Sequence, residues 1–325
     1  MTLKQHPFFF LSLLIALVFI SFLFALANGS STLSFQEIVS LFNGSASALQ
    51  QSIVFELRLP RALAAFAAGA LLSLAGVLMQ VLLRNPLADP YVLGVSGGSA
   101  FVALLAMLLG LNSFMLTSSA FFGALLSIFL VFSFSHNQGS WNISRLLLTG
   151  IILASGWGAL ISFVLVIAPP EKIHGMLFWL MGDLSYDRPL LPAYLILSIG
   201  LLASLFIARQ LNILLWGDIQ ASSLGIHSKQ LRIIIFFLSS LLTAGAITLA
   251  GSIGFVGLVI PHLVRLIIGT DHRILLPASA LSGGLLLVLA DTLARTLLAP
   301  QQLPVGILTA LIGVPLFLYL LRRSA

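Results

Sequence analysis

The chain contains no cysteine among its 325 residues. Disulfide bonds and thiolate metal sites are therefore excluded. Its six histidines are scattered, and no two of them lie one helical turn apart within an apolar run. His262 follows Pro261 and could act as a ligand, but a packing histidine at a helix irregularity is the more common case. The sequence therefore predicts neither a metal centre nor a bound cofactor.

Charged residues are also scarce, at 7% of the chain compared with about 25% in soluble domains. Hydrophobic residues make up 59% of the chain, and the mean hydropathy is +1.14. Basic residues outnumber acidic ones by 15 to 9, but no basic patch with interleaved aromatic residues indicates a nucleic-acid partner. This composition is typical of a protein that lies mostly within a membrane.

Long apolar runs recur along the whole chain. A helix needs about 20 apolar residues to cross a hydrocarbon core of about 30 Å. We predict an all-α polytopic membrane protein with about ten transmembrane helices, packed as a compact bundle because irregular backbone at that depth must be covered. The predicted spans are 8–27, 60–82, 92–110, 114–134, 146–168, 190–207, 231–250, 254–269, 274–298 and 305–321.

The second span is rich in small residues. Side chains of this size let helix backbones approach one another closely in a membrane. We expect these residues to pack against other helices rather than to contact a substrate. They are Gly69, Ala70, Ser73, Ala75 and Gly76.

The distribution of basic residues predicts the orientation. Ten spans place both termini on one side, and the positive-inside rule puts that side in the cytoplasm. The first apolar run is longer than the roughly 7–15 residues of a signal peptide, which favours an uncleaved helix over a secretory signal. This threading leaves five basic residues outside: Arg58, Arg61, Lys172, Arg188 and Arg295.

The spans also have few of the groups that perform chemistry. An ion-coupled transporter keeps ionisable residues near the bilayer midplane to carry the coupling ion, and these spans are nearly free of them. No nucleophile with a base, paired carboxylates or histidine cluster indicates a membrane enzyme. A nucleotide-binding P-loop is absent as well. We therefore predict a non-catalytic chain whose energy, if used, comes from a partner.

The segment 211–225, between the sixth and seventh spans, is a candidate contact for such a partner. It is the longest loop on the predicted cytoplasmic side and has the pattern of two short amphipathic helices. Gly217 is the expected break between them, and Gly225 is the expected C-terminal stop. An alternative is a helix pair that lies on the lipid headgroups.

Several motifs follow one another along more than 200 residues. They are Arg58-Leu-Pro-Arg61; Asn85-Pro-Leu-Ala-Asp-Pro90, followed by Leu93-Gly-Val-Ser-Gly-Gly98; the Leu211 to Gly225 segment; Gly254-Phe-Val-Gly-Leu-Val-Ile-Pro-His262; Asp271-His-Arg273; Ala290-Asp291 through Arg295; and Leu303-Pro-Val-Gly306.

With these motifs the chain resembles, nearly end to end, the FecCD-type permease subunits of ABC importers for cobalamin, ferric siderophores and haem. The resemblance implies the type II ABC importer permease fold, with residues 1–325 forming a single transmembrane domain. It also implies a homodimer with a second permease copy, two cytoplasmic ATPase subunits and a periplasmic or lipid-anchored substrate-binding protein. It implies no covalent chemistry in this subunit.

The resemblance also assigns roles to individual residues. The outward arginines Arg58, Arg61 and Arg295 match those that receive acidic residues of the binding protein. The contacts to the ATPase fall within the 211–225 segment, and a cytoplasmic gate falls after the second helix and at the start of the fifth. The ATPase contacts are Asp218, Ala221, Leu224 and Gly225, and the gate residues are Asn85, Leu87, Ile143 and Ser144.

Two of these assignments have simpler alternatives. The arginines could extend to the outer interface or pair with Glu56 and Asp291, and pairing is compatible with docking. Asn85-Pro86 could serve only as a helix stop, since proline cannot continue helical hydrogen bonding. Position 143 is Ile where the cobalamin permeases carry Thr, which weakens the gate assignment there.

The resemblance favours cobalamin as cargo, on the stretches 90–96 and 176–185. Ferric siderophore or haem is the first alternative, and an oxyanion such as molybdate is further away. An ion-coupled secondary transporter is the distant alternative from another class, and it would require a buried ionisable residue in the spans.

Overall fold

The structure is a computed structural model, and it describes residues 7–29, 37, 43, 47–135, 143–184 and 188–324. These residues are mostly helical. We number the helices α1 to α13 in chain order. Their bounds are Pro7–Ala27, Ala48–Leu82, Val95–Leu108, Ser113–Ser135, Ile143–Ile167, Pro170–Leu180, Leu190–Phe206, Ala208–Leu214, Asp218–Ser223, Ser228–Ala250, Val256–Ile268, His272–Thr296 and Val305–Ser324.

Ten of these helices correspond to the ten predicted spans. Within the described residues, six are long and apolar enough to cross a membrane: α1, α2, α4, α5, α10 and α12. A seventh span is the pair α7 and α8, which is bent by 59° at its junction. The remaining three, α3, α11 and α13, are apolar but shorter.

The second predicted span was wrong in its start, because α2 begins at Ala48 rather than at residue 60. The charges of Glu56 and Arg58 end the apolar run, but the helix continues through them. Residues Ser52–Arg58 form a π-helical segment that ends two residues before Pro60. A wider turn there removes the need for the proline N–H and relieves the ring's clash with the preceding turn.

Helix α6 (Pro170–Leu180) was not predicted. It lies in what the sequence analysis treated as an outer connection between the fifth and sixth spans. Its side chains Met176 and Trp179 are almost fully buried, and the carbonyl of Met181 accepts a hydrogen bond from Gly306 N at 3.1 Å. The helix is only 11 residues long, so apolar-run length could not detect it.

Helix α2 is the centre of the bundle. From Ala67 to Leu82 its side chains are buried without interruption, and it packs against α10, α11 and α12. A methyl group added at Gly69 would collide with the Gly283 carbonyl of α12, and one at Gly76 would collide with the Gly257 carbonyl of α11. The prediction that the small residues of this span serve close helix packing is confirmed.

Two short helices begin inside the bundle rather than at its surface. Helix α3 follows Gly94, whose carbonyl accepts a hydrogen bond from the Ser127 hydroxyl in the middle of α4 at 2.8 Å. Helix α11 follows Phe255, which has a φ of 70°, and its Gly257 lies against the middle of α2. Because each begins at this depth, neither needs the length of a full span.

Helix α2 separates the two ends of the bundle. Its regular part, Leu59–Leu82, has 24 residues and is therefore about 36 Å long at 1.5 Å per residue. We call the end at which this part begins the Arg61 end and the opposite one the Asp218 end. The candidate functional residues gather at these two ends.

We expect Gly76→Ala to destabilise the permease by about 1–3 kcal/mol, because the methyl group has no space against α11. The matched control is Gly156→Ala on α5, where nothing lies within 4 Å of the added atom. Thermal denaturation of the detergent-solubilised protein measures both. Equal melting temperatures for the two variants would contradict the backbone-to-backbone packing described here.

Candidate functional site

At the Arg61 end, Asp291 holds two arginines. Its carboxylate accepts hydrogen bonds from Arg61 Nε at 3.0 and 3.1 Å and from Arg295 Nε at 3.1 Å, and Arg61 Nη2 lies 2.9 Å from it. The Asp291 side chain is 1% exposed, against 13% for Arg61. Arg295 follows Asp291 by one helical turn, which places both on one face of α12.

The third arginine, Arg58, is bound elsewhere. Its Nη1 donates to the carbonyls of Leu26 and Ala27 at 2.7 and 3.1 Å, where α1 ends. A guanidinium at this position satisfies carbonyls that have no partner within the helix, and it complements the negative end of the helix dipole. The Arg58 side chain is therefore mostly buried rather than extended outward.

The three arginines and Asp291 form what we call the arginine cluster. The structure brings Arg61 and Arg295 together, and the pairing with Asp291 that the sequence left open is present. Arg61 Nη1 also donates to Gln302 at 2.8 Å, in the connection between α12 and α13. The cluster thus ties α2 to α12 with more positive than negative charge. The docking role of these arginines remains a prediction.

At the Asp218 end, a second aspartate is again shared by two arginines. Arg84 Nη2 lies 2.7 Å from Asp218, and Arg232 Nη2 donates to both of its oxygens at 2.8 and 2.9 Å. Asp218 begins α9, Arg84 follows the end of α2, and Arg232 lies in the first turns of α10. We call these three residues the Asp218 cluster. Sequence reasoning missed it because nothing in the spacing pairs residues so far apart.

The segment 211–225 has the predicted form. Two short helices, α8 and α9, are separated by Gly217 with a φ of 116°, and α9 ends before Gly225 with a φ of 76°. Only glycine adopts such φ values without strain. Gly225 is exposed, so the C-terminal end of α9 is accessible to a partner protein.

The four predicted ATPase contacts have different environments. Asp218 is engaged by the two arginines, and Ala221 is fully buried within the chain. Leu224 is 59% exposed. Sequence reasoning missed two neighbours, Trp216 and Ile219, which are 72% and 84% exposed. Their signal was available, because both are apolar residues beside the predicted break at Gly217.

A second polar network fixes α8. Asn212 Nδ2 donates to Asp271 at 2.8 Å, while Asn212 Oδ1 accepts from His272 N at 2.9 Å and from the His272 ring at 2.6 Å. Burial opposes the charged form of Asp271, but the Asn212 and Arg273 N–H groups and the nearby positive charge of Arg273 together hold its pKa below the usual value. Asp271 is therefore ionised at neutral pH and anchors α8 to the start of α12.

The predicted gate residues lie at the same end as the Asp218 cluster. Asn85 is exposed, and its side-chain oxygen accepts a hydrogen bond from Leu87 N at 2.9 Å, which closes a tight turn. Ile143 is partly buried and Ser144 is exposed, both in the first turn of α5. The turn at Asn85-Pro86 does follow the end of α2, as the helix-stop alternative requires. Whether these residues also form a gate stays a prediction.

Among the described residues, no group of three or more histidine, aspartate or glutamate side chains could hold a metal ion. A cavity with a volume of about 270 Å³ lies between α4, α7 and α10. Its walls are mostly apolar, with Arg188 at one edge. This cavity lies apart from both clusters.

We expect Asp291→Asn to destabilise the permease by about 1–3 kcal/mol. The amide would present N–H donors to guanidinium groups that are themselves donors, and the two arginines would lose their shared negative charge. Glu171→Gln, which removes an exposed carboxylate on α6, is the control. Thermal denaturation in detergent measures the effect. An unchanged melting temperature for Asp291→Asn would show that the cluster does not hold α2 to α12.

Comparison with known proteins identifies the family. The model of the FecCD transport family matches residues 15–323. The hemin transport system permease protein HmuU of Yersinia pestis is 40% identical, covering 99% of this chain and 97% of its own. The cobalamin import system permease protein BtuC of Halobacterium salinarum is 42% identical, covering 84% and 74% respectively. The molybdate import system permease protein MolB of Haemophilus influenzae is 37% identical, covering 95% and 94%.

A solved structure gives the same result for the fold. An inward-facing conformation of a metal-chelate type ABC transporter superposes with a TM-score of 0.85 at 35% identity, covering 98% of this chain and 99% of that one. The predicted fold class, an all-α importer permease with about ten spans, is confirmed. Permeases of this kind work with ATPase and substrate-binding partners, and they are transport subunits rather than enzymes. The chain belongs to the FecCD transport family and is an ABC importer permease.

Proposed function

We propose that this chain imports cobalamin across the bacterial inner membrane as the membrane subunit of an ABC importer. The observation that carries the proposal is the placement of two charged clusters at opposite ends of α2. One end offers positive charge to an incoming partner, and the other end presents exposed apolar residues on α9 and directly beside it. A chain that receives cargo on one side and energy on the other needs two such surfaces.

The Asp218 end faces the cytoplasm in this proposal, together with both termini. The basic residues of the positive-inside count support this orientation. Trp216, Ile219 and Leu224 form an exposed apolar group there, which is the kind of surface that a protein partner covers. The ATPase subunit docks on this group, with Asp218, Ala221 and Gly225 shaping the segment beneath it.

The arginine cluster receives acidic residues of the binding protein. Arg61 is its most accessible member, while Arg295 and Arg58 lie behind it and contribute charge. Charge complementarity of this kind mainly orients a partner and speeds its association. The shared Asp291 holds the two guanidinium groups in place before docking, so that less conformational entropy is lost when the partner arrives.

A second copy of the chain completes the path. Helix α5 is long and apolar, but only 17% of the residues in its most apolar stretch are buried within the chain. The hydroxyls of Ser155 and Ser162 donate to backbone carbonyls of α5 itself, so these two side chains need no polar group on a partner. We place the translocation path between two such surfaces, with Asn85, Leu87, Ile143 and Ser144 at its cytoplasmic end as the gate.

Haem is the second candidate cargo. The Yersinia pestis relative that is named for hemin transport covers nearly the full length of both chains at 40% identity. The relatives named for cobalamin import have similar identity. Both cargoes are large metal tetrapyrroles, and a path with few charges suits either one, because it binds the cargo weakly during passage.

Cargo is tested with the permease reconstituted in liposomes together with its ATPase and binding protein. We expect ATP-dependent uptake of cobalamin, with little uptake of hemin, a ferric siderophore or molybdate. Titration of the isolated binding protein with the same four compounds provides an independent measurement. Uptake of hemin alone would change the cargo and keep the importer. Uptake without ATP and without ATPase would instead support a secondary transporter.

Docking is tested with Arg61→Gln. We expect association of the binding protein with the permease in nanodiscs to slow by about tenfold at low salt, because the most accessible charge of the cluster is lost. The slowing should shrink as salt rises, since ions screen the attraction. Lys172→Gln removes a basic residue of α6 outside the cluster and is the control. Equal association rates for Arg61→Gln and the native chain would reject docking at this cluster.

A further inference from the structure

The residue that ends α2 is unusual for its position. Asn85 N donates to the Gln80 carbonyl at 3.2 Å, and Arg84 N donates to the Val81 carbonyl at 3.2 Å. These two bonds define a Schellman motif, in which the residue at the position of Arg84 is left-handed and is usually glycine. Arg84 has a φ of 49°. A residue other than glycine in this conformation costs roughly 1 kcal/mol or more.

The Arg84 side chain forms a contact that glycine could not form. Its guanidinium lies 2.7 Å from Asp218, the first residue of α9. Both partners are partly exposed to solvent, with exposed fractions of 35% for the Arg84 side chain and 48% for the Asp218 side chain. Exposed ion pairs of this kind contribute little to stability. The stabilisation from this ion pair is therefore too small to offset the free-energy cost of a left-handed arginine. The ion pair must then have a role other than stability.

The position of this ion pair indicates that role. Arg84 directly precedes the turn in which Asn85 binds Leu87 N, which is the proposed gate turn. Asp218 belongs to the proposed ATPase-binding segment. Helix α9 has glycines at both ends, Gly217 and Gly225, with φ values that only glycine adopts easily. Glycine adopts many backbone conformations, so α9 can change its orientation at both ends, and the Arg84–Asp218 ion pair is a direct side-chain contact between α9 and the end of α2.

We infer that Arg84 and Asp218 transmit movement of α9 to the 85–87 turn, with Arg232 holding the carboxylate in place from α10. The inference rests on the proposed function. Arg84 and Asp218 are positioning residues in this account, since neither needs to touch the cargo. Movement of α9 would displace the Asp218 carboxylate, and the guanidinium of Arg84 would carry that displacement to the turn that follows it.

The decisive variant is Arg84→Gly in the reconstituted importer. Glycine removes the ion pair and relieves the left-handed backbone, so we expect an equal or higher melting temperature. Co-purification of the ATPase should be unchanged, while cargo transported per ATP hydrolysed should fall at least fivefold, the lower range for coupling between sites. Arg84→Gln, which keeps the backbone strain, should lose the same transport without the gain in stability.

Two further variants complete the design. Asp218→Asn should lower transport per ATP at least as much as Arg84→Gly, because it takes the carboxylate away from both Arg84 and Arg232. The double variant with Arg84→Gly should be no worse than Asp218→Asn alone, because the contact of Arg84 is already lost. Asp218→Glu should recover part of the loss. Arg209→Gln, which removes an exposed arginine from α8, is the charge control and should transport as the native chain does.

The absence of native cysteine allows the turn itself to be followed. A single Leu87→Cys substitution supplies one labelling site, and its reactivity with a thiol reagent can be compared with and without ATP. We expect ATP to change this reactivity in the native background and not in Arg84→Gly. If Arg84 had a purely structural role, Arg84→Gly would lower the melting temperature but would not abolish the ATP response.

The possible outcomes separate the inference from the proposed function. Native-like transport per ATP by Arg84→Gly overturns the inference and leaves the importer intact. Release of the ATPase by Arg84→Gly also overturns it, because the contact would then serve assembly. If the native chain itself neither binds an ATPase nor transports with ATP, the proposed function fails, and this result is visible before any variant is made.

Discussion

The fold depends on the close approach of backbones around α2. Gly69 meets Gly283 of α12, and Gly76 meets Gly257 of α11, with no side chain between them. In a membrane, the hydrophobic effect gives little drive for helices to associate, because lipid is as apolar as leucine. Contact at this distance supplies dispersion energy instead. It also fixes the positions of Arg61 and Arg84, which lie near the two ends of the same helix.

Much of the fold could be predicted from hydropathy, but the length of an apolar run was an imperfect guide. The ten spans correspond to ten helices because each run must satisfy its backbone within the membrane. The prediction from apolar runs was wrong at residues 48–59, where charged residues end the apolar run but the helix continues. It also failed at α6, a helix too short to form a span. The buried starts of α3 and α11 depend on tertiary contacts that local sequence does not contain.

The candidate sites were predictable in kind but not in their contacts. Arg61, Arg295 and Asp218 stood out because charge is rare in this chain. Their partners did not, since Arg61 and Asp291 are 230 positions apart and only the fold brings them together. Both clusters turn out to have the same plan, in which one aspartate is shared by two arginines. Sharing keeps a fixed positive excess at each end while leaving no carboxylate unpaired in the cluster.

The glycine contacts of α2 also restrict how the molecule can move. A side-chain interface can adjust by changing rotamers, but two backbones in contact have no rotamers to change. We therefore expect helices α2, α11 and the neighbouring part of α12 to move together. A change between conformations would then be taken up by the less buried helices around them, such as α5, or by the relative tilt of whole subunits. For a transporter with this core, we expect opening to occur by rigid-body movement of packed helices rather than by bending of individual helices.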